Sequence, residues 1–132
     1  KLTLRESISY IQPKITSGIH DGKEFAGVAR WQGNIGISYN ILSNIIFNID
    51  GYYFGKAYNN DDFSNRLGKN DDYITVDTNI RYNFNNGFEI YGGIRNLFDK
   101  EYASAVVTAG TGEKVYHPAD GRSYYAGFKY NF

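Results

Sequence analysis

Period-two alternation of apolar and polar side chains is the feature that most constrains this chain, and it is clearest in the last twelve residues. Between Gly121 and Phe132, large or apolar side chains take every second position. This apolar set is Tyr124, Ala126, Phe128, Tyr130 and Phe132. Successive side chains of an extended strand point to opposite faces, so the segment predicts a strand with one apolar and one polar face. Such a strand suits either a soluble core or a wall between lipid and a wet lumen.

The same alternation recurs along the chain, whereas helical periodicity is nearly absent. We therefore predict an all-β fold, an antiparallel up-and-down meander of about six strands. The predicted strands are Leu2–Ile15, Arg30–Ile41, Ile45–Ala57, Tyr73–Phe84, Phe88–Leu97 and Gly121–Phe132. Glu6 interrupts the apolar face of the first strand, so we expect a bulge or an early strand end there.

The connections between these strands alternate in length. Leu42–Asn44 and Asn85–Gly87 are short turns, and the second carries an Asn-Gly hairpin signal. The long polar connections are Thr16–Ala29, Tyr58–Asp72 and Phe98–Asp120. We expect the long loops on one rim of the sheet and the short turns, with Phe132, on the other. This layout is typical of an outer-membrane barrel.

The two faces of the predicted strands differ in charge and in aromatic content. Charged side chains fall opposite the apolar face: Asp50, Lys56, Asp77, Arg81, Glu89, Arg95 and Lys129. Aromatic side chains border an Ile/Val/Gly band on the apolar face, as in the girdles of a bilayer-spanning wall. We expect these residues to face lipid and to be exposed: Ile35, Ile37, Phe47, Ile49, Val76, Ile80, Ile90, Ile94 and Phe128.

Composition excludes several functional classes. The 14 basic and 14 acidic residues balance, which gives no basic surface for nucleic acid. No phosphate loop, nucleophile elbow or zinc spacing occurs, so we expect neither an enzyme nor a cofactor. The only histidines, His20 and His117, lie far apart in predicted loops, and we expect no metal site. The acidic pairs Asp61-Asp62 and Asp71-Asp72 are open to two interpretations, Ca²⁺ ligands or solvated loop charges.

Two segments of the chain resemble a known family. The run Tyr91–Tyr102 contains Asn-Leu-Phe-Asp followed by Tyr, and His117–Phe132 contains Gly-Arg, aromatics and a terminal Phe. Together with Tyr73–Asp77, they resemble the C-terminal barrel segment of TonB-dependent outer-membrane receptors. The resemblance covers roughly residues 73 to 132, and Asp120 stands where the family often has Pro.

The resemblance implies a transmembrane barrel of 22 strands in the outer membrane of a Gram-negative bacterium, with an N-terminal plug. Residues 1–132 would be its C-terminal portion, strands 17 to 22, with the plug and earlier strands outside this chain. The implied activity is TonB-dependent uptake of a scarce nutrient, most often a ferric siderophore or another iron chelate. The alternatives are a passive porin, a small outer-membrane barrel or a soluble β-sandwich binding module.

The implied partners are membrane lipid, the energy-coupling protein TonB acting through the plug, the barrel-assembly machinery and a small metal chelate. Candidate ligand-binding residues on the long loops are Tyr58, Arg66, Tyr102, Tyr116 and His117, with Lys114 a further cation for an anionic chelate. The resemblance also implies an assembly signal formed by Phe128, Tyr130 and Phe132.

Overall fold

The computed structural model describes residues 1–131, and all of their regular elements are strands. There are eight: β1 (Leu2–Tyr10), β2 (Trp31–Leu42), β3 (Ile45–Phe54), β4 (Tyr73–Asn83), β5 (Phe88–Arg95), β6 (Ala103–Thr108), β7 (Lys114–Pro118) and β8 (Ser123–Tyr130). Six form one antiparallel sheet in the order β1-β2-β3-β4-β5-β8. The all-β antiparallel meander is therefore confirmed. Within these residues no helix is long and apolar enough to cross a membrane.

The strand registers keep the apolar side chains of all six strands on one face. Direct cross-strand partners form continuous rows, such as Leu4, Ile37, Ile49, Thr78, Ile94 and Tyr124. A shift of one residue would turn a whole strand over, so this continuity fixes the register. The polar face carries Arg5, Asp50 and Asp77 in one row with Gly36.

The apolar face is not covered by a second layer within residues 1–131, because each strand of the sheet contacts only its sheet neighbours. Of the nine side chains expected to face lipid, five are exposed and four are half-buried by their neighbours in the sheet. Ile35 keeps 51% of its surface accessible and Phe128 keeps 73%. An uncovered apolar face contradicts the β-sandwich alternative and agrees with a wall in lipid.

The connections lie on the rims that the sequence predicts. The pairs Tyr10/Trp31, Phe54/Tyr73 and Arg95/Ser123 place the three long connections on one rim. The turns after β2 and β4 lie on the opposite rim, where the Asn131 amide donates to the Gly87 carbonyl at 3.0 Å. Phe132 lies outside the described residues.

Several predicted boundaries are wrong. β1 ends at Tyr10 rather than Ile15, because the chain turns at Pro13, which has no amide proton for a ladder. β3 ends at Phe54 rather than Ala57: the Gly55 amide still donates to the Trp31 carbonyl at 2.9 Å, but Ala57 pairs with Asn70 of its own loop. The bulge expected at Glu6 is absent: the β1–β2 register is unbroken from Leu2 to Tyr10.

The long connection between β5 and β8 contains a hairpin that the sequence analysis missed. β6 and β7 pair antiparallel and form a separate two-stranded sheet. Val106 and Val107 favour a strand, and Gly112 with a positive φ of 86° turns the chain back. These were the available signals, but strands this short were indistinguishable from loop.

Two tyrosines on the polar face lie across glycines of the neighbouring strand. Tyr91 is paired with Gly127, and Gly93 is paired with Tyr125. A Cβ on Gly127 would lie 2.5 Å from the Tyr91 hydroxyl, and a Cβ on Gly93 equally close to the Tyr125 hydroxyl. Each tyrosine ring therefore packs on the backbone of a glycine in the paired strand. These two contacts link β5 to β8.

Candidate ligand-binding cleft

The long connections pack against one another above the sheet. The Gly27 amide of the β1–β2 loop donates to the Tyr58 carbonyl of the β3–β4 loop at 3.2 Å. The Asn60 amide donates to the Val106 carbonyl at 2.7 Å, and the Val106 amide donates to Asn60 Oδ1 at 3.0 Å. The three connections therefore form one ordered cap, which we call the loop cap (residues 11–30, 55–72 and 96–122).

Within the loop cap, the β6–β7 hairpin is held in place by side chains of the β3–β4 loop. Asn59 is fully buried; its amide nitrogen donates to Thr108 Oγ1 at 3.3 Å, and its oxygen accepts from Asn70 at 3.2 Å. Asp61 accepts from the Thr108 amide at 2.8 Å and from its hydroxyl at 3.0 Å. Buried polar groups that are satisfied in this way fix the position of the hairpin.

Glu24 is the charge centre of the loop cap. Its carboxylate accepts from Arg30 and from Lys69, each at 2.8 Å, and its backbone amide donates to Asn65 Oδ1 at 2.7 Å. Burial raises the pKa of Glu24, but the two cations and their hydrogen bonds outweigh burial and leave the pKa below its ordinary value. The carboxylate thus joins the β1–β2 and β3–β4 loops as an anion.

Asp62 organises the turn that follows it. Its carboxylate accepts from the backbone amides of Arg66 at 3.0 Å and Leu67 at 2.9 Å, and from the Ser64 hydroxyl at 3.1 Å. Burial raises the pKa of Asp62, yet these donors bring it below its ordinary value. Asn65 takes a positive φ of 55° within the turn.

The acidic pairs show no metal geometry. Asp62 is buried and bound to backbone amides, Asp71 lies 3.5 Å from Lys56 Nζ, and Asp72 accepts from the Tyr53 hydroxyl at 3.1 Å. Within residues 1–131 no three His, Asp or Glu side chains converge as metal ligands. For Asp62 the solvated-charge interpretation is wrong, because its carboxylate is buried and binds backbone amides.

A cleft of about 830 Å³ opens within the loop cap, between the β3–β4 loop and the β6–β7 hairpin. Four tyrosines contribute to its lining: Tyr58, Tyr102 and Tyr116 from the loop cap, and Tyr73 from β4. Its charged side chains are Lys69, Lys100, Lys114, Asp71, Asp72 and Glu101, so they balance. Its volume suits a small molecule.

The lysines of the cleft differ in how their charge is compensated. Lys69 lies against Glu24 and 5.2 Å from the centre of the Tyr58 ring. Lys114 donates only to neutral oxygens, Asn70 Oδ1 at 2.9 Å and the Gly68 carbonyl at 3.4 Å. Lys114 is therefore a cation whose charge no hydrogen-bonded carboxylate cancels.

Of the five candidate residues from the sequence, the structure brings Tyr58, Tyr102 and Tyr116 together in this cleft. Arg66 and His117 are exposed and do not contribute to its lining. The lining also includes Lys69 and Tyr73, which the sequence analysis did not single out. No sequence pattern marked Lys69 as a cleft residue, because an ion pair with Glu24 of another loop fixes its position.

An aromatic stack lies at the base of the cleft. The ring centroids of Phe54 and Tyr73 are 5.4 Å apart, and those of Tyr73 and Tyr102 are 4.4 Å apart. The same three rings line a second cavity of about 450 Å³ on the polar face of the sheet. The stack therefore stands between the loop cap and the polar face.

The Asn-Leu-Phe-Asp run turns the chain from β5 into the loop cap. Asn96 and Asp99 both have positive φ, 50° and 53°. Asn96 Nδ2 donates to the Lys100 carbonyl at 3.0 Å, while its oxygen accepts from the Lys100 amide at 2.8 Å. Asp99 accepts from the Arg122 amide at 2.8 Å. Short polar side chains thus cap backbone groups at the strand end.

Comparison with known families matches residues 2–97 to the model described as "TonB dependent receptor-like, beta-barrel". The chain belongs to this family. The match includes β1 to β3, which the resemblance drawn from residues 73 to 132 did not cover. Proteins of the TonB-dependent receptor family are transporters of the Gram-negative outer membrane.

Solved structures of TonB-dependent receptors share the fold. The siderophore receptor PiuA from Acinetobacter baumannii is 21% identical, with a TM-score of 0.76 over 94% of this chain and 18% of PiuA. The ferric-catecholate import receptor Fiu from Escherichia coli K12 is 18% identical, with a TM-score of 0.77 over 99% of this chain and 19% of Fiu. A mutant of the ferric enterobactin receptor PfeA from Pseudomonas aeruginosa is 17% identical, with a TM-score of 0.76 over 99% of this chain and 20% of PfeA. The chain thus spans at most a fifth of these receptors.

Proposed function

We propose that this chain is part of an outer-membrane receptor that takes up a ferric siderophore, or a related iron chelate, with energy supplied through TonB. The observation that carries the proposal is the cleft, where three tyrosines and the uncompensated Lys114 meet at the long-loop rim. The family membership and the siderophore receptors among the structural neighbours support it.

The chemistry of the cleft favours an anionic chelate with aromatic groups. The ring faces of Tyr58, Tyr102 and Tyr116 offer stacking surfaces, and each good aromatic contact contributes about 1 kcal/mol beyond its buried area. Lys114 can bind an anionic group without first breaking an ion pair, because it donates only to neutral oxygens. Arg66 and His117 are exposed and do not line the cleft, so we assign them no contact with the bound chelate.

We further propose that residues 1–132 form the C-terminal part of a 22-strand barrel, strands 17 to 22. The apolar face contacts outer-membrane lipid, and the polar face lines the lumen that holds the plug. The plug, rather than this segment, engages TonB, and the final strand with Phe128, Tyr130 and Phe132 is read by the barrel-assembly machinery.

The test is ligand binding and uptake by the intact receptor with a panel of ferric siderophores. Tyr102→Ala, Tyr116→Ala and Lys114→Ala should each raise the Kd about tenfold, the loss expected for a good stacking or charge contact. His117→Ala is the matched control, because it neighbours Tyr116 but does not contribute to the lining, and it should leave the Kd within about twofold. Binding that is insensitive to all three cleft variants would remove the cleft from the proposal. Uptake that persists without TonB would favour the passive porin.

A further inference from the structure

Within the described strands of the six-stranded sheet, Glu6 is the one charged side chain on the apolar face. Its neighbours along that face are Leu4 and Ile8, and it is paired directly with Ile35 of β2. The other charges of the sheet strands lie on the polar face: Arg5, Asp50, Asp77, Arg81, Glu89, Arg95 and Lys129.

The register places Glu6 at mid-height of the apolar band. The pair Leu2/Tyr39 lies four residues away toward the short-turn rim, and Tyr10/Trp31 lies four residues away toward the long-loop rim. At roughly 3.3 Å per residue, Glu6 is about 13 Å along the strand from each aromatic border, or roughly 10 Å in height for a barrel strand tilted by about 35–45°. Neither border is near enough for the carboxylate to reach the water that surrounds the headgroups.

Glu6 also has no partner among residues 1–131, unlike the ion-paired charges of the polar face. Arg5 meets Asp50 at 3.2 Å, and Arg81 meets Glu89 at 3.5 Å. Neither a hydrogen bond nor an ion pair joins the Glu6 carboxylate to any described residue. A lone carboxylate in hydrocarbon is unfavourable, so a compensating group is required.

The strand that carries Glu6 has one free edge. β1 pairs with β2 alone, which leaves the other row of its amides and carbonyls open. Unpaired backbone of this kind is not tolerated in lipid, and a closed barrel supplies a strand there. On a paired strand, the residue opposite Glu6 on the same face has its Cβ about 4.5–5.5 Å away. That position is the nearest one from which a partner can come.

We propose that Glu6 forms an ion pair with an arginine or lysine on the barrel strand that pairs with the free edge of β1. The pair lies on the lipid-facing wall and fixes the register of that strand, since a slip of one residue would move the cation to the other face. A cation is preferred to a neutral donor, because only a cation cancels the charge in hydrocarbon. This proposal rests on the barrel fold and does not depend on which ligand is transported.

The test uses the sign of a stability change in the intact receptor, reconstituted in lipid vesicles. Glu6→Leu should lower the unfolding midpoint by about 2 °C or more, because it leaves the cation alone in hydrocarbon. Ile8→Leu, on the same face two residues along, is the control and should change the midpoint little. Glu6→Lys should lower the unfolding midpoint further, because two cations then face each other. Replacing the opposing cation with Glu in the Glu6→Lys variant should restore the midpoint.

Three results would overturn the proposal. A higher midpoint for Glu6→Leu would mean that the carboxylate is unpaired. A Glu6→Gln variant indistinguishable from the unmodified receptor would mean that Glu6 is a neutral acid. If Glu6→Leu lowered the unfolding midpoint only in the presence of a second membrane protein, the partner of Glu6 would belong to that protein. Ligand uptake enters none of these readouts, so failure here is distinct from failure of the proposed function.

Discussion

Arg5 and Asp50 lie on strands that are not neighbours, yet their side chains meet at 3.2 Å above Gly36 of the strand between them. The absence of a side chain at Gly36 creates the passage. A Cβ there would overlap the Asp50 carboxylate and lie 3.0 Å from Arg5 Nη2. Arg5 also donates to Ser38 Oγ at 2.7 Å, so one arginine links three strands on the polar face.

Gly36→Ala should be nearly neutral for stability. The obstructing group is the end of the Asp50 side chain, which can rotate away. The ion pair that is lost is half-exposed and contributes about 0–1 kcal/mol. Removing a strand glycine regains about 0.5–1 kcal/mol. Urea unfolding of the intact receptor in lipid should show a change within about 0.5 kcal/mol.

Gly93→Ala should instead destabilise the receptor by about 2 kcal/mol. Its Cβ would lie 2.5 Å from the Thr78 carbonyl oxygen, which is backbone and cannot rotate away. The same urea titration measures it, with Gly36→Ala as the matched control. Equal changes for the two variants would contradict the distinction between backbone and side-chain obstruction.

Asp62→Ala should loosen the turn that contains Arg66. The variant leaves the amides of Arg66 and Leu67 without their acceptor, and each hydrogen bond to a charged group contributes about 1.5–3 kcal/mol. Trypsin should therefore cleave after Arg66 at least about tenfold faster. Asp61→Ala, one residue away, is the control, because its carboxylate binds Thr108 rather than this turn. Equal cleavage rates in the two variants would show that Asp62 does not hold the turn.

Acid should separate the β1–β2 and β3–β4 loops through Glu24. Its folded pKa lies below the ordinary value of 4.5, so its contribution is complete above that value and is lost as pH falls through the folded pKa. Spin labels on Lys23→Cys and Leu67→Cys, in a background without other cysteines, report the separation. The distance distribution should be narrow at neutral pH and should broaden only as the pH falls below 4.5, through the lowered pKa of folded Glu24. With Glu24→Gln added it should be broad already at neutral pH, and a narrow distribution in that variant would contradict the prediction.

Phe132→Ala should reduce membrane insertion of the intact receptor more than it reduces stability. An exposed strand edge offers backbone hydrogen bonds, and alternate aromatics offer side chains for specific pockets. Truncation at a rim normally has a small effect on stability. Comparing the inserted yield in cells with refolding into detergent separates the two effects. Equal losses of inserted yield and of refolding yield would show that Phe132 contributes only packing.

The wall of the fold was predictable because a period of two maps directly onto the faces of a strand. The row from Leu4 to Tyr124 follows from alternation and turn length alone. The loop cap was not predictable, since the hairpin is held by Asn59 and Asp61, about 45 residues before Val106 in sequence. Alternation also failed at Glu6, where we assumed that the strand would distort rather than keep a carboxylate on its apolar face.

The cleft was predictable only in part, for a similar reason. Tyr58, Tyr102 and Tyr116 could be placed on the long-loop rim from connection lengths. Lys69 reaches the cleft through its ion pair with Glu24, a contact between residues 45 apart. Contacts of this kind depend on tertiary packing that no local pattern encodes.

The two tyrosine–glycine contacts between β5 and β8 predict that their four positions change together in evolution. At Tyr91/Gly127 and Gly93/Tyr125, a large residue on one strand requires the absence of a side chain on the other. Rings on both sides would collide, and glycine on both sides would leave bare backbone. Among related sequences, we expect these pairs to be inherited as units or to exchange strands, so that a ring lost from β5 reappears on β8.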